Sequence, residues 1–261
     1  MIDSGVPFYL AQNHEVEVFR SAYRRQLAVL LKGPTGCGKT RFVRHMAATL
    51  GRPLYTVACH DELSATDLLG RYLIRNDETV WHDGPLTQAV RDGGICYLDE
   101  VVEARKDTTV ILHPLCDDRR TIYLEKTAEV ISAPPQFMLV VSFNPGYQNL
   151  FKNLKQSTRQ RFVSLTFDFP PMKQEVEIVV TETGVSADIA EKLVKLGRQL
   201  RTVEGHDIEE TASTRLLVHA AHMIQDNLNH RTACEVALVD SLTDDPVIRE
   251  GLMEMVNAYF A

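Results

Sequence analysis

Eight consecutive residues, Gly33-Pro34-Thr35-Gly36-Cys37-Gly38-Lys39-Thr40, follow the pattern G-x-x-x-x-G-K-[ST]. Glycines let a loop wrap its backbone N–H groups around an anion without Cβ clashes, and a helix that follows adds the positive end of its dipole. A lysine in this place reaches the β- and γ-phosphates of a nucleotide, and the neighbouring hydroxyl ligates Mg²⁺. Gly33, Pro34, Thr35, Gly36, Cys37, Gly38, Lys39, Thr40 and the adjoining Arg41 are therefore the candidate ATP-binding residues, with Thr40 also a candidate metal ligand.

A second group completes the chemistry. "ICYLDE" (Ile95–Glu100) is an apolar run that ends in two adjacent carboxylates. Asp99 would hold the Mg²⁺ through its water shell and Glu100 would polarise an attacking water. Such a glutamate points to hydrolysis to ADP and phosphate, because a kinase must keep water away from the γ-phosphate. Asn144, in "VVSFNPG", could hold that water between the γ-phosphate and Glu100, or could simply start a turn before Pro145.

Three arginines add positive charge. Arg159 and Arg161, in "STRQRF", precede a strand on the far side of the domain from the chain's own glycine loop. From there an arginine could stabilise transition-state charge only in a neighbouring subunit, an effect of about 10³–10⁵ in rate. Arg215, in "ASTRLL", opens a helix and could close over the γ-phosphate in its own subunit. Each arginine taken alone reads equally well as part of a surface salt bridge.

These residues need a scaffold. "LAVLLK" (Leu27–Lys32), "PLYTVAC" (Pro53–Cys59), "GICYLDEV" (Gly94–Val101), "FMLVVSFN" (Phe137–Asn144) and "VSLTFDF" (Val163–Phe169) read as five buried strands. Their alternation with helical segments, the first at Lys39–Leu50, predicts an α/β fold: a three-layer parallel sheet. Two segments, about 71–84 and 119–135, have strand-like arms around polar turns and predict β-hairpins inserted at the sheet edge. "HEVEVFRSAYRR" (His14–Arg25) predicts an amphipathic helix with the stripe Val16, Val18, Phe19 and Tyr23. After "FPPM" the pattern is helical throughout. Ser186 caps Ala187–Leu200, Thr232 and Glu235 have capping-box spacing, and Asp245-Pro246 starts the last helix. The expected division is an α/β nucleotide-binding domain over 1–171 and a small all-α domain over 172–261.

Composition limits the alternatives. A net charge of −7 disfavours a sequence-independent grip on nucleic acid. Five cysteines without a C-x-x-C pair suit reduced thiols in a cytoplasm. No run reaches the ~18 apolar residues of a membrane span. His219 and His222 stand three apart on a helix, but no third ligand group completes a metal site with them. Trp81 reads as a packing anchor of the first hairpin, and the "CHDE" run (Cys59–Glu62) as the end of a strand near a subunit boundary.

The conjunction of motifs resembles the AAA+ ATPases, and the inserted hairpins resemble their MoxR group. "TVACHDELSATDLLGRY", "GPLTQAVRDGGICYLDEVVEARKDTT", "DDRRTIYLEKT", "VVSFNPGYQNL" and "ASTRLLVHAA" are similar to the CbbQ/NorQ family over nearly the whole chain, and closer to its CbbQ branch. The resemblance implies a homo-hexameric ring that works with a von Willebrand factor A domain partner. In the CbbQ branch the client is Rubisco, freed of inhibitory sugar phosphates at the cost of ATP; in the NorQ branch it is nitric oxide reductase. It also implies Arg161 as the trans-acting finger, with Arg159 close behind, and hairpins that face the pore or the partner. Two other readings remain from the residues themselves: a small-molecule kinase, and a nucleotide-gated adaptor that binds without a motor stroke.

Overall fold

The computed structural model describes residues 5–145, 156–203 and 211–260, apart from the Lys106 side chain. Two compact units divide the chain: Met1–Gly33 with Lys39–Phe167, and Pro34–Gly38 with Asp168–Ala261.

In the first unit, α1 (Glu15–Arg24) precedes β1 (Val29–Lys32) and α2 (Lys39–Leu50) follows it. Then come β2 (Leu54–Ala58), α3 (Ala65–Leu69), β3 (Gly70–Arg75), β4 (Glu78–Asp83), α4 (Pro85–Asp92) and β5 (Ile95–Asp99). After α5 (Lys106–Leu112), β6 (Thr121–Leu124) and β7 (Glu129–Ser132) lead to β8 (Met138–Phe143), α6 (Gln156–Arg159) and β9 (Val163–Thr166). Five strands form one parallel sheet in the order β2-β5-β8-β1-β9. The expected strands are present, and the Asp-Glu strand and the glycine-loop strand both lie beside β8.

Residue alternation explains how this sheet is covered. Cys96 and Leu98 of β5, with Leu139, Val141 and Phe143 of β8, join Leu30 in a core completed by Leu86, Ala89 and Val90 of α4. The intervening residues face the other side, where Phe42 of α2 packs against Phe19 of α1 and Phe167. The four-residue β1 is buried along Val29, Leu30 and Leu31, as befits a parallel strand with neighbours on both edges. β2 departs from the expectation of a buried strand. It is an edge strand whose residues are half-buried or exposed.

The two hairpins are separate two-stranded sheets. β3 pairs antiparallel with β4 through Asn76 and Asp77, which take φ values of 50° and 62°, the left-handed pair that a tight hairpin turn demands. β6 pairs with β7 around Glu125–Ala128. Trp81 anchors the first hairpin: its ring meets Tyr72 edge-on and its Nε1 donates to Asp83.

α1 buries Glu15, Phe19 and Ala22, while Val16, Val18 and Tyr23 are only half-buried. Glu15 is the surprise within that stripe. Its carboxylate accepts from Tyr9 Oη and from the backbone N–H groups of Gln12 and Asn13, at 2.7–2.8 Å. Burial pushes its carboxyl up, but these bonds outweigh that and leave it lower than usual.

The second unit is helical: α7 (Met172–Thr183), α8 (Ala187–Thr202), α9 (Thr214–Gln225), α10 (His230–Cys234), a π-helical turn Glu235–Val239, α11 (Asp240–Leu242) and α12 (Pro246–Tyr259). Leu193, Leu196 and Leu200 of α8 meet Leu217, Ala220 and Ala221 of α9 in its core. Ser186 and Asp245 cap α8 and α12 as expected. The capping box at Thr232 does not form. Asn229 caps α10 instead, accepting from Arg231 and Thr232, so Thr232 already lies inside the helix.

Candidate functional site

The three central strands bring their C-terminal ends together. Lys32 is in register with Phe143, and Leu98 with Val141. One step further on, Gly33 opens the glycine loop, Asp99 closes β5 and Asn144 follows β8. Ligands of open α/β sheets bind beyond such ends.

Gly33 is held where no side chain fits. An added Cβ would lie 2.5 Å from the carbonyl oxygen of Phe167, whose N–H donates to Lys32 O at 2.6 Å. Gly38 takes a φ of 102°, a conformation that side chains resist. Lys39 is buried and donates from Nζ to Gly33 O at 2.8 Å. Cys37 is buried, and Arg41 is exposed in the first turn of α2.

Thr40 Oγ1 donates to Asp99 Oδ2 at 3.2 Å. A hydroxyl and a carboxylate oxygen side by side are the hard donors that Mg²⁺ takes, directly or through water. The glycine-lined loop, the buried lysine and this oxygen pair therefore suit a magnesium nucleotide. Thr40 and Asp99 would hold the metal, which when bound neutralises charge on the phosphates.

Two residues that sequence reasoning missed surround Asp99. Tyr97 Oη donates to Asp99 Oδ1 at 2.8 Å, and the Ser142 hydroxyl donates to the same oxygen. Ser142 Oγ also accepts the backbone N–H of Glu100 at 3.2 Å. Both side chains are completely buried, and burial, followed by the charge of Asp99, pushes the Tyr97 phenol well up. The strand period of two held the signal. Tyr97 shares a face with Asp99, and a serine within the apolar "LVVSF" needs a polar partner.

Glu100 itself is exposed, with a φ of 55° at the turn into a short 3₁₀ segment. A left-handed non-glycine residue of this kind costs on the order of 1–3 kcal/mol and persists where its surroundings hold it. Here Ser142 fixes its N–H, and its carbonyl accepts from Glu103 N at 2.9 Å. Asn144 is buried. Cys59 follows β2 beside this group, its N–H bonded to Asp99 O at 2.9 Å. Its thiol is pushed up to about 12 by burial first, then by the charges of Asp99 and Glu100.

The arginines part company. Arg161 is half-buried and pairs with Asp117, two residues before β9 begins at Val163. Val163 is in register with Val29, the first residue of β1, at the opposite end of that strand from the glycine loop. Arg159 instead lies over the ring of Phe143, 5.7 Å from its centroid, one residue from Asn144. In the second unit Arg215 is exposed at the second position of α9. That helix start is fixed by Thr214, whose hydroxyl donates to the buried Glu175 at 2.7 Å. His219 and His222 are exposed.

Comparison with known proteins extends these observations. Residues 28–162 match the AAA domain of the dynein-related subfamily, and residues 175–259 match the CbbQ/NirQ/NorQ C-terminal domain. The chain is 62% identical to the denitrification regulatory protein NirQ of Pseudomonas aeruginosa, over 98% of this chain and 99% of that protein. It is 51% identical to the protein CbbQ of Hydrogenophilus thermoluteolus, over 98% and 96% of the two chains. Among solved structures, a RuvB variant from Thermotoga maritima shares the fold with a TM-score of 0.60 and 18% identity, over 97% of this chain and 73% of that one. The chain thus belongs to the CbbQ/NirQ/NorQ family of AAA+ proteins and is an ATPase that uses a nucleotide with Mg²⁺.

Proposed function

We propose that the chain works as a homo-hexameric ring motor, each ATP site being completed by Arg161 of the neighbouring subunit. Gly33–Thr40 and Arg41 bind the nucleotide, Thr40 and Asp99 hold the metal, and Glu100 activates the attacking water that Asn144 positions. Arg159 is the second candidate for the finger, and Arg215 closes on the γ-phosphate from the small helical domain, taken as residues 172–261.

One observation carries this reading. Gly33, Asp99 and Asn144 leave three adjacent strands at their C-terminal ends, while Arg161 precedes β9 at the opposite end of β1. An arginine so placed favours action on another copy. In the test, ATPase rate per chain is followed against concentration, and Arg161→Ala subunits are mixed with Lys39→Ala subunits. We expect the rate to rise with assembly and the two inactive variants to restore some turnover together. A rate per chain that is independent of dilution, with no complementation, refutes the shared site.

The motor acts on a client enzyme complex alongside a von Willebrand factor A domain partner. The sequence phrases favour Rubisco as that client. The identities favour the other branch: 62% to a protein named for denitrification regulation against 51% to CbbQ. We therefore place a denitrification enzyme first, nitric oxide reductase foremost, and Rubisco second. A pull-down with ring and partner, offered both enzymes in ATP, separates them by which is retained. Retention of Rubisco alone overturns this order.

A further inference from the structure

We propose that Tyr97 and Ser142 are positioning residues that commit one oxygen of Asp99 to the protein and leave the other for the metal. The inference rests on the assignment of Asp99 and Thr40 to Mg²⁺ and adds how the carboxylate is aimed.

The donors and acceptors can be counted. Tyr97 Oη lies 2.8 Å from Asp99 Oδ1, nearer than Ser142 Oγ at 3.1 Å or Thr40 Oγ1 at 3.4 Å, and the Ser142 hydroxyl donates to the same Asp99 oxygen. Both donors are completely buried, so no water competes for them. Oδ1 thereby has two hydroxyl donors and little capacity left. Oδ2 is turned towards Thr40 Oγ1, 3.2 Å away. The carboxylate thus cannot rotate without breaking two buried hydrogen bonds. A partly exposed aspartate on water-facing backbone would sample several rotamers, whereas this one presents a single oxygen beside the Thr40 hydroxyl.

Ser142 has a second duty that Tyr97 lacks. Its oxygen accepts the N–H of Glu100 at 3.2 Å, at the residue with a φ of 55°. One hydroxyl therefore fixes both the metal-facing carboxylate and the backbone from which the water-activating glutamate projects. Ser142 also lies on β8, two residues before Asn144. The three polar groups proposed for catalysis are thus referred to one strand.

This division predicts different defects for two small substitutions. Tyr97→Phe removes one donor to Oδ1, together with the phenol's contacts to Ser142 Oγ and Thr40 Oγ1. Ser142→Ala removes a donor to Oδ1 and the acceptor for Glu100 N–H. The full-length chain is titrated with a fluorescent N-methylanthraniloyl ADP, first in EDTA and then at rising Mg²⁺. Nucleotide binding in EDTA is expected to match the unmodified chain in both variants. The Mg²⁺ concentration for half-maximal tightening is expected to rise by about 10–100-fold in each, as for lost outer-shell partners of metal ligands. At saturating Mg²⁺, Ser142→Ala is expected to hydrolyse ATP more slowly than Tyr97→Phe, because only Ser142→Ala also frees the Glu100 N–H.

Asp99→Ala serves as the reference. If it removes the Mg²⁺ effect while Tyr97→Phe and Ser142→Ala titrate normally, the positioning inference fails and the metal assignment stands. If Asp99→Ala leaves the Mg²⁺ effect intact, the assignment itself fails. Weaker binding in EDTA by either hydroxyl variant means a general structural role and also overturns the proposal. Should Tyr97→Phe not fold, Ser142→Ala reports on the same oxygen.

Discussion

Arg161 is tied to Asp117 of its own chain, Nη1 to Oδ2 at 3.0 Å. Asp117 also accepts from Arg119 through both carboxylate oxygens. Arg119 chiefly, with Arg161 behind it, lowers the Asp117 carboxyl to about 2. Because the folded-state value is depressed, the contribution of this carboxylate is complete above its unfolded value of ~3.9 and fades as pH falls through about 2. The Asp117 carboxylate therefore stays ionised at every pH where ATPase activity is measured. We expect Arg161→Ala to lower turnover by about 10³-fold or more with nucleotide affinity intact. Asp117→Asn should lower it less and leave the shape of the pH–rate curve between pH 5 and 9 unchanged. A new titration step in that range for Asp117→Asn would contradict the assignment.

Gly33 offers a test in which geometry alone decides. A Cβ there would overlap the Phe167 carbonyl oxygen at 2.5 Å, and a backbone atom cannot swing away as a side chain does. Gly33→Ala is expected to destabilise the first unit by about 2 kcal/mol or more and to weaken nucleotide binding. Thermal unfolding with and without Mg-ADP checks both. Gly51 makes a control. It also has positive φ (62°), but the space around it is open, so Gly51→Ala should cost less.

How far the sequence revealed this molecule follows from which signals were local. Gly33–Thr40, Asp99 and Asn144 lie where a strand stops and a loop begins, and such boundaries are written in composition. The hairpin turn at Asn76-Asp77 is equally local. Tyr97 and Ser142 were overlooked because each sits inside an apolar run and gains meaning only across the β5–β8 pairing. Glu15 was overlooked because a charged residue on a helix is ordinarily solvated. The Thr232–Glu235 spacing points three residues too far along the chain, because the Asn229 side chain already caps the Arg231 and Thr232 N–H groups. The apolar content of β2 predicts a buried strand and carries no sign that it lies at an edge. Of the phrase "VVSFNPGYQNL", the part from Gly146 to Leu150 lies outside the described residues.

Glu175 and Arg201 predict where the second unit will break. Glu175 is completely buried and takes both Arg201 terminal nitrogens, at 2.6 and 3.0 Å, while Arg201 Nε donates to Ala212 O. The guanidinium also lies over Phe169, 3.9 Å from the ring centroid. Removing one partner leaves a buried charge without compensation, which costs about 3–5 kcal/mol. Glu175→Ala is thus expected to lower the unfolding midpoint strongly. It should also release Thr214, next to Arg215. Urea unfolding, with ATPase measured well below the midpoint, separates lost stability from a displaced Arg215. A variant as stable as the parent would show that the pair is not what fixes the start of α9.

Arg91 makes a different prediction, because its interactions are exposed. From α4 it donates to Asp83 at the end of β4 and, through two nitrogens, to Glu129 at the start of β7. Tyr72 of the first hairpin donates to Lys126 O in the turn of the second, at 3.2 Å. One arginine therefore joins both hairpins to the helix beneath them. With more than a third of its side chain accessible, it should contribute only about 1 kcal/mol or less to global stability. Its effect should instead be local. Arg91→Ala is expected to unfold at nearly the parent temperature and to keep basal ATPase activity. Amide exchange should rise in Gly70–Asp83 and Thr121–Ser132 but not in β1, β5 or β8. If the hairpins transmit the motor's work to its client, client-stimulated turnover should fall while basal turnover holds. Unchanged exchange in both hairpins would mean that Arg91 is a surface ion pair without a structural task.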